Sequence, residues 1–221
     1  MIPIRDENPT SRAPLLTITL MAINVAVYLF QFNLSAPAEE LFIFDYGLVP
    51  AWLTGSATLQ PPPGFIPRPL TLVTSMFLHG GLLHLAGNLL YLWIFGNNVE
   101  DRLGPARFLA FYLMGGILAA LAFVVTEPAT MVPMIGASGA IAAVLGAYFV
   151  LYPRAKVVVL IWFFFFVNFV RVPAVLMLGL WLLFQVLGLG GEGVAWMAHI
   201  GGFVAGMALV RLFLPRAYRL R

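Results

Sequence analysis

Six stretches of this chain, residues 15–32, 82–95, 106–125, 138–151, 172–189 and 194–214, are built almost wholly of apolar side chains. A helix needs about 20 such residues to cross the hydrocarbon core of a bilayer. Each stretch therefore predicts a transmembrane helix, the second and fourth extending into their small and polar flanks. Composition agrees: 62% of the residues are hydrophobic and 10% charged, with a mean hydropathy of +0.96, where soluble domains carry about a quarter charged residues. The expected fold class is an all-α polytopic membrane protein, a six-transmembrane-helix bundle forming one domain at 15–214. A cytoplasmic segment at 1–14 precedes it and a basic cytoplasmic tail at 215–221 follows. The first stretch reads as a retained helix and not a cleaved leader, because it is long for a signal core and contains Asn24.

Arginine placement orients the bundle. With six spans, one side holds every one of the 12 basic residues except Arg68, and the positive-inside rule makes that side, with both termini, cytoplasmic. Residues 156–171, which contain Phe163-Phe164-Phe165-Phe166, would break the asymmetry as a seventh span by moving Arg171 and the four C-terminal arginines outside. This segment is expected to be interfacial or re-entrant, anchored by its basic ends. The connection at 33–81 is too long for an ordinary linker. Its Leu41-Phe42-Ile43-Phe44 and Leu48 to Leu53 runs predict a structured element half-sunk in the outer interface. Topology accounts for the +3 net charge, so a nucleic-acid partner is not indicated; the partner that is indicated is the lipid bilayer. Cysteine is absent, which excludes disulfides, a thiol nucleophile and a thiolate metal site.

Polar groups in hydrocarbon are costly and usually face a protein interior or a water-filled cavity. The second, fourth and sixth spans all run from outside to inside, so residues at their N-terminal ends share one depth. His84 and Asn88 open the second, Ser138 the fourth and His199 the sixth. Ser138 is the one serine that falls in a span, and Gly136-Ala137-Ser138-Gly139-Ala140 is also a small-residue face for close helix packing. Gly202 and Gly206 form a small-xxx-small pair that would press the sixth helix onto that face. Such a contact brings the His199 imidazole within hydrogen-bond reach of the Ser138 hydroxyl, the arrangement of a nucleophile with its general base. His84 and Asn88, four residues apart, share a helix face and read either as an interhelical hydrogen-bond pair or as neutral donors to an oxyanion. His79 reads as structural or interfacial.

Other chemistries lack their residues. Asp6, Asp45 and Asp101 lie outside the spans, which removes an intramembrane aspartyl pair, and there is no His-Glu-x-x-His motif. A zinc site of His79, His84 and His199 is conceivable, but on a helix the first two would project about 140° apart. No carboxylate sits in a span, so serine chemistry here runs on a dyad, and an ion-coupled transporter lacks its charges. A small channel or transporter built on the same polar cluster is the competing reading.

Four motifs together resemble the rhomboid family of intramembrane serine proteases: His84-Leu85-Ala86-Gly87-Asn88, Glu100-Asp101-Arg102-Leu103-Gly104, Gly136-Ala137-Ser138-Gly139 and Ala198-His199-Ile200-Gly201-Gly202. The resemblance covers about residues 71–210, in the family's order. It implies a rhomboid-like bundle, Ser138 as nucleophile, His199 as base and later acid, and an oxyanion site of His84, Asn88 and the Ser138 backbone N–H. It also implies transmembrane protein substrates cleaved near the outer leaflet after a small residue, lateral entry past the second and fifth helices, no cofactor, and a prokaryotic plasma membrane. Two positions depart from the pattern. Leu70-Thr71 stands where the first loop commonly has Trp-Arg, and Ala142 stands where some members carry an aromatic residue that supports the histidine. A catalytically inactive, client-binding rhomboid-like protein is the alternative within the family.

Overall fold

A computed structural model of the chain describes residues 2–57, 66–163, 165–189 and 193–215. Pro61-Pro62-Pro63-Gly64 of the long connection, and the tail beyond residue 215, lie outside the described residues. The chain begins with a short strand, β1 (Ile2–Asp6), followed by α1 (Leu15–Phe32). The long connection is structured, containing α2 (Ala36–Tyr46), α3 (Pro50–Thr54) and α4 (Thr71–Thr74). Then come α5 (Leu82–Tyr91), a π-helical turn at Leu92–Gly96 and α6 (Asn97–Leu103), which run on as one helix, and α7 (Pro105–Thr126). The remainder is α8 (Ser138–Leu151), strands β2 (Lys156–Phe163) and β3 (Phe166–Pro173), α9 (Ala174–Val186) and α10 (Trp196–Phe213).

Helices α1, α7 and α10 are each long and apolar enough to cross a membrane. Leu82–Leu103, bent by 83° from the Arg68–Phe77 segment before it, makes a fourth candidate with that segment, while α8 and α9 are shorter apolar helices. The chain is therefore a mostly helical, integral membrane protein. A three-stranded antiparallel sheet in the order β1-β2-β3 corrects the all-α expectation. Its cause is local: Val157, Val158, Val159, Ile161, Val167, Val170 and Val172 are β-branched and fit a pleated surface better than a helix. Val157, Val158 and Val159, at the base of the hairpin, are buried, while Ile161, Trp162, Val167 and Phe169 toward its tip are exposed.

Charged side chains at the ends of the bundle fasten it. Helix α1 follows Pro14 and has no side-chain cap of its own. The Glu100 carboxylate of α6 caps it instead, accepting from the backbone N–H groups of Leu16 at 3.0 Å and Thr17 at 2.7 Å and from the Thr17 hydroxyl at 2.7 Å. A carboxylate there satisfies orphan N–H groups and complements the positive end of the helix dipole. Asp6 ties β1 to two helices: its Oδ2 accepts from the Asn98 amide at 2.7 Å and the Tyr148 hydroxyl at 2.6 Å. Glu7 accepts from the Arg171 guanidinium of β3 at 2.7 Å.

The centre of the bundle is packed backbone to backbone. A Cβ added at Gly202 would run into the carbonyl oxygen of Gly139, and one at Gly206 into the backbone of Ala143. From the opposite side, a Cβ at Gly146 would strike the carbonyl oxygen of Phe203, and one at Gly115 of α7 would strike Ala143. Without a hydrophobic driving force between helices in lipid, such close van der Waals contact is what holds them together. Gly206→Val is expected to destabilise the fold by more than the usual overpacking cost of about 1–3 kcal/mol, because the atoms it meets are backbone and cannot repack. Gly179→Ala, with nothing within 4 Å of the added Cβ, is expected to be tolerated; thermal unfolding in detergent compares the two.

Burial raises the pKa of Asp6 above its ordinary value, against the lowering effect of the Tyr148 and Asn98 hydrogen bonds. A raised folded-state pKa gives stability that is complete below the unfolded value and is lost as pH rises through the folded one. Asp6→Asn keeps an acceptor for both donors and cannot ionise. In thermal unfolding across acid to neutral pH, the wild-type chain is expected to match Asp6→Asn at low pH and fall progressively below it as pH increases.

Candidate active site

Ser138 is the first residue of α8 and His199 lies in the first turn of α10. The glycine contacts between these helices bring the two side chains together, with His199 Nε2 2.8 Å from Ser138 Oγ. Ser138 also opens its helix, so its backbone N–H has no carbonyl partner within α8. Both residues line an open cavity of about 790 Å³, together with His84, Asn88, Gly136 and Trp181.

Helix α5 supplies the other two sequence-identified polar residues. Asn88 is buried, and its Nδ2 has no hydrogen-bond partner among the described residues. His84 packs on Gly136, whose backbone has φ of +120°; a Cβ there would lie 2.7 Å from the imidazole Cε1 and Nε2. Gly136 is thus required twice, for a conformation that L side chains rarely adopt and for the approach of the ring. Of the other site glycines, Gly139 faces Ala119 of α7 at 2.9 Å from an added Cβ, and Gly202 and Gly206 make the α8 contacts described above.

His79 has a structural place before the helix. It precedes α5, and its ring packs edge-on against His84 with centroids 5.2 Å apart. Its backbone is clasped by the Gln31 side chain of α1: the His79 N–H donates to Gln31 Oε1 at 3.1 Å, and Gln31 Nε2 donates to the His79 carbonyl at 3.3 Å. Among the described residues no third ligating side chain joins the two rings.

The support of His199, for which Ala142 offers no aromatic ring, comes from α9. Ala142 is fully buried against α10, its Cβ 3.2 Å from one added at Gly202, so a larger side chain would part the helices. Gln185 of α9 places Oε1 2.6 Å from His199 Nδ1. The Trp181 indole lies 5.9 Å from the imidazole centroid and Trp196 meets it edge-on at 6.4 Å. Gln185 escaped the sequence reading because only aspartate and glutamate were sought as a third group. The available signal was a lone amide in the fifth apolar stretch.

The long connection is held without the Trp-Arg pair at positions 70 and 71. The Arg68 guanidinium stacks on Trp52 at 4.9 Å from the ring centroid, Thr71 donates to the Arg68 carbonyl at 2.6 Å, and Thr74 donates to the Tyr46 carbonyl at 2.6 Å. An antiparallel bridge between Leu48 and Met134 joins the connection to the segment just before Gly136.

Apolar helices that meet around a hydroxyl, an imidazole and an unpartnered amide define an integral membrane protein with a largely apolar cavity that carries a few polar groups. The Rhomboid domain model matches residues 67–216, and the chain belongs to the rhomboid family. The rhomboid protease GluP of Bacillus subtilis is 36% identical over 148 residues, which are 66% of this chain and 26% of that protein. The rhomboid protease AarA of Providencia stuartii is 34% identical over 110 residues, 48% of this chain and 35% of that one. Presenilin-associated rhomboid-like protein A, mitochondrial, of Danio rerio is 38% identical over 91 residues, 40% of this chain and 24% of that protein. The chain thus spans about a quarter to a third of the length of these relatives.

Proposed function

We propose that the chain is an intramembrane serine endopeptidase that cleaves transmembrane protein substrates through a Ser138–His199 dyad. The observation that carries this reading is the 2.8 Å separation of His199 Nε2 and Ser138 Oγ in a cavity within the helical bundle. His199 Nε2 takes the hydroxyl proton as Oγ attacks the scissile carbonyl, and the resulting imidazolium returns that proton to the leaving amine. Water, activated by the same nitrogen, then releases the acyl group from Ser138. The negative oxygen formed at each addition is met by His84, by the Asn88 amide and by the Ser138 backbone N–H, neutral donors that need no buried charge. An inactive client-binding role is disfavoured because both reacting groups are present and within bonding distance.

The accompanying topology has six spans, with α8 and α9 crossing as short helices and both termini cytoplasmic. The β2–β3 hairpin then lies at the inner membrane interface. A substrate helix would enter laterally and unwind near its outer end, since a helical carbonyl is already bonded and shielded from attack.

Reconstitution with a model transmembrane substrate tests the chemistry. Ser138→Ala and His199→Ala are each expected to lower kcat by at least about a thousandfold, and Asn88→Ala by up to about 10²–10³-fold. Equal cleavage by Ser138→Ala overturns the reading. For topology, the chain has no native cysteine, so Arg171→Cys is a unique label site on an exposed side chain. It is expected to react with an impermeant maleimide only from the cytoplasmic side.

A further inference from the structure

We propose that Gln185 is a positioning residue that holds His199 in the one tautomer able to accept the Ser138 proton, an inference that rests on the protease reading above. Its basis is a chain of three contacts running from backbone to nucleophile. Gln185 Nε2 donates to the Trp181 carbonyl one turn earlier at 3.4 Å. That bond turns the other end of the amide, Oε1, toward His199 Nδ1 at 2.6 Å. An amide oxygen only accepts, so Nδ1 carries the hydrogen. The lone pair is left on Nε2, which faces the Ser138 hydroxyl at 2.8 Å.

The opposite tautomer would set the Nδ1 lone pair against the Oε1 lone pairs and turn an N–H toward the hydroxyl, a state that cannot act as base. When Nε2 takes the serine proton, the Nδ1 hydrogen stays where it is, donated to Gln185, and the same Nε2 proton later leaves with the amine. The amide never exchanges a proton. It supplies the orientation that a third group gives the base in hydrolytic triads.

Membrane depth explains the choice of residue. A carboxylate in a span is costly, whereas a neutral amide offers the same acceptor without burying a charge. Gln185 is buried, 8% exposed, which limits the access of bulk water to its amide. The rings of Trp181 and Trp196 confine the imidazole laterally but offer it no acceptor.

Two substitutions separate acceptor from volume. Gln185→Leu keeps the shape and removes the acceptor, and it is expected to lower kcat by about 10- to 100-fold, the range seen when a histidine loses its orienting partner, with KM changed less than about twofold. Gln185→Glu restores an acceptor and is expected to recover most of the lost kcat. Wild-type kcat in Gln185→Leu, or a rise in KM alone, overturns the proposal. A second measurement does not depend on cleavage. The chain has three histidines, so ¹⁵N-histidine spectra of the intact protein in bicelles can be assigned by loss of the His199 signals in His199→Asn. The neutral His199 ring is expected as the Nδ1–H tautomer in the wild-type chain and as a mixture in Gln185→Leu. An Nε2–H tautomer in the wild type overturns the proposal. Undiminished cleavage by Ser138→Ala, with the Nδ1–H tautomer still observed, would instead locate the failure in the protease reading.

Discussion

The structure depends on the approach of α10 to α8 with no side chain between them. Gly202 and Gly206 lie on the backbone of Gly139 and Ala143, and Gly146 lies on the carbonyl of Phe203. In lipid this closeness is the binding energy, since an aliphatic side chain gains little by leaving hydrocarbon tails for other side chains. It also sets the chemical geometry, because Ser138 and His199 head these two helices and the depth of packing fixes how far their side chains must reach. Ala142 belongs to the same contact: it leaves the interface too thin to hold an aromatic ring. The histidine then needs a partner from another helix, and α9 provides one.

Polar groups are divided by place in the bundle. Carboxylates are used near the bundle's ends, where Glu100 caps α1 and Asp6 binds Asn98 and Tyr148. Around the cavity and the loop before α5 the polar partners are amides, with Gln31 clasping the His79 backbone, Asn88 lining the cavity and Gln185 meeting His199. An amide can bond to both a donor and an acceptor while remaining neutral at any pH. The arrangement positions the loop before α5, and with it His84, without the cost of an intramembrane charge.

Much of this was legible in the chain. The apolar stretches coincide with helices to within a few residues, apart from the second, whose helix runs on to Leu103. Small residues marked the surfaces that meet. Less legible was the β2–β3 hairpin. Its four consecutive phenylalanines and lack of polar alternation hide the strands, because the exposed tip is as apolar as the buried base. The basic residues at its ends argue against a span, but only the density of valines points to strands. His79 was legible as a structural residue at the loop boundary, ahead of the helix that begins at Leu82, but its closeness to His84 was not. Gln185 was visible as a residue but not as a role, since a hydrogen bond between two helices depends on their relative rotation, which no sequence spacing encodes.

Helix α9 is joined to its surroundings unequally at its two ends. Pro173 closes the strand ladder opposite Lys156 and the helix starts at the next residue. Its first amides are bonded at once, Ala174 to the Ala155 carbonyl at 2.7 Å and Val175 to that of Pro153 at 3.1 Å. At the other end the chain turns through Gly188 at φ +65° into a glycine-rich segment whose residues 190–192 lie outside the described residues. A rod clamped at one end pivots and does not slide. Gln185 sits about 17 Å from the clamp, so a tilt of about 10° would carry its amide about 3 Å, enough to break the bond to His199. The angle of this helix and the contact between Gln185 and His199 are one mechanical variable.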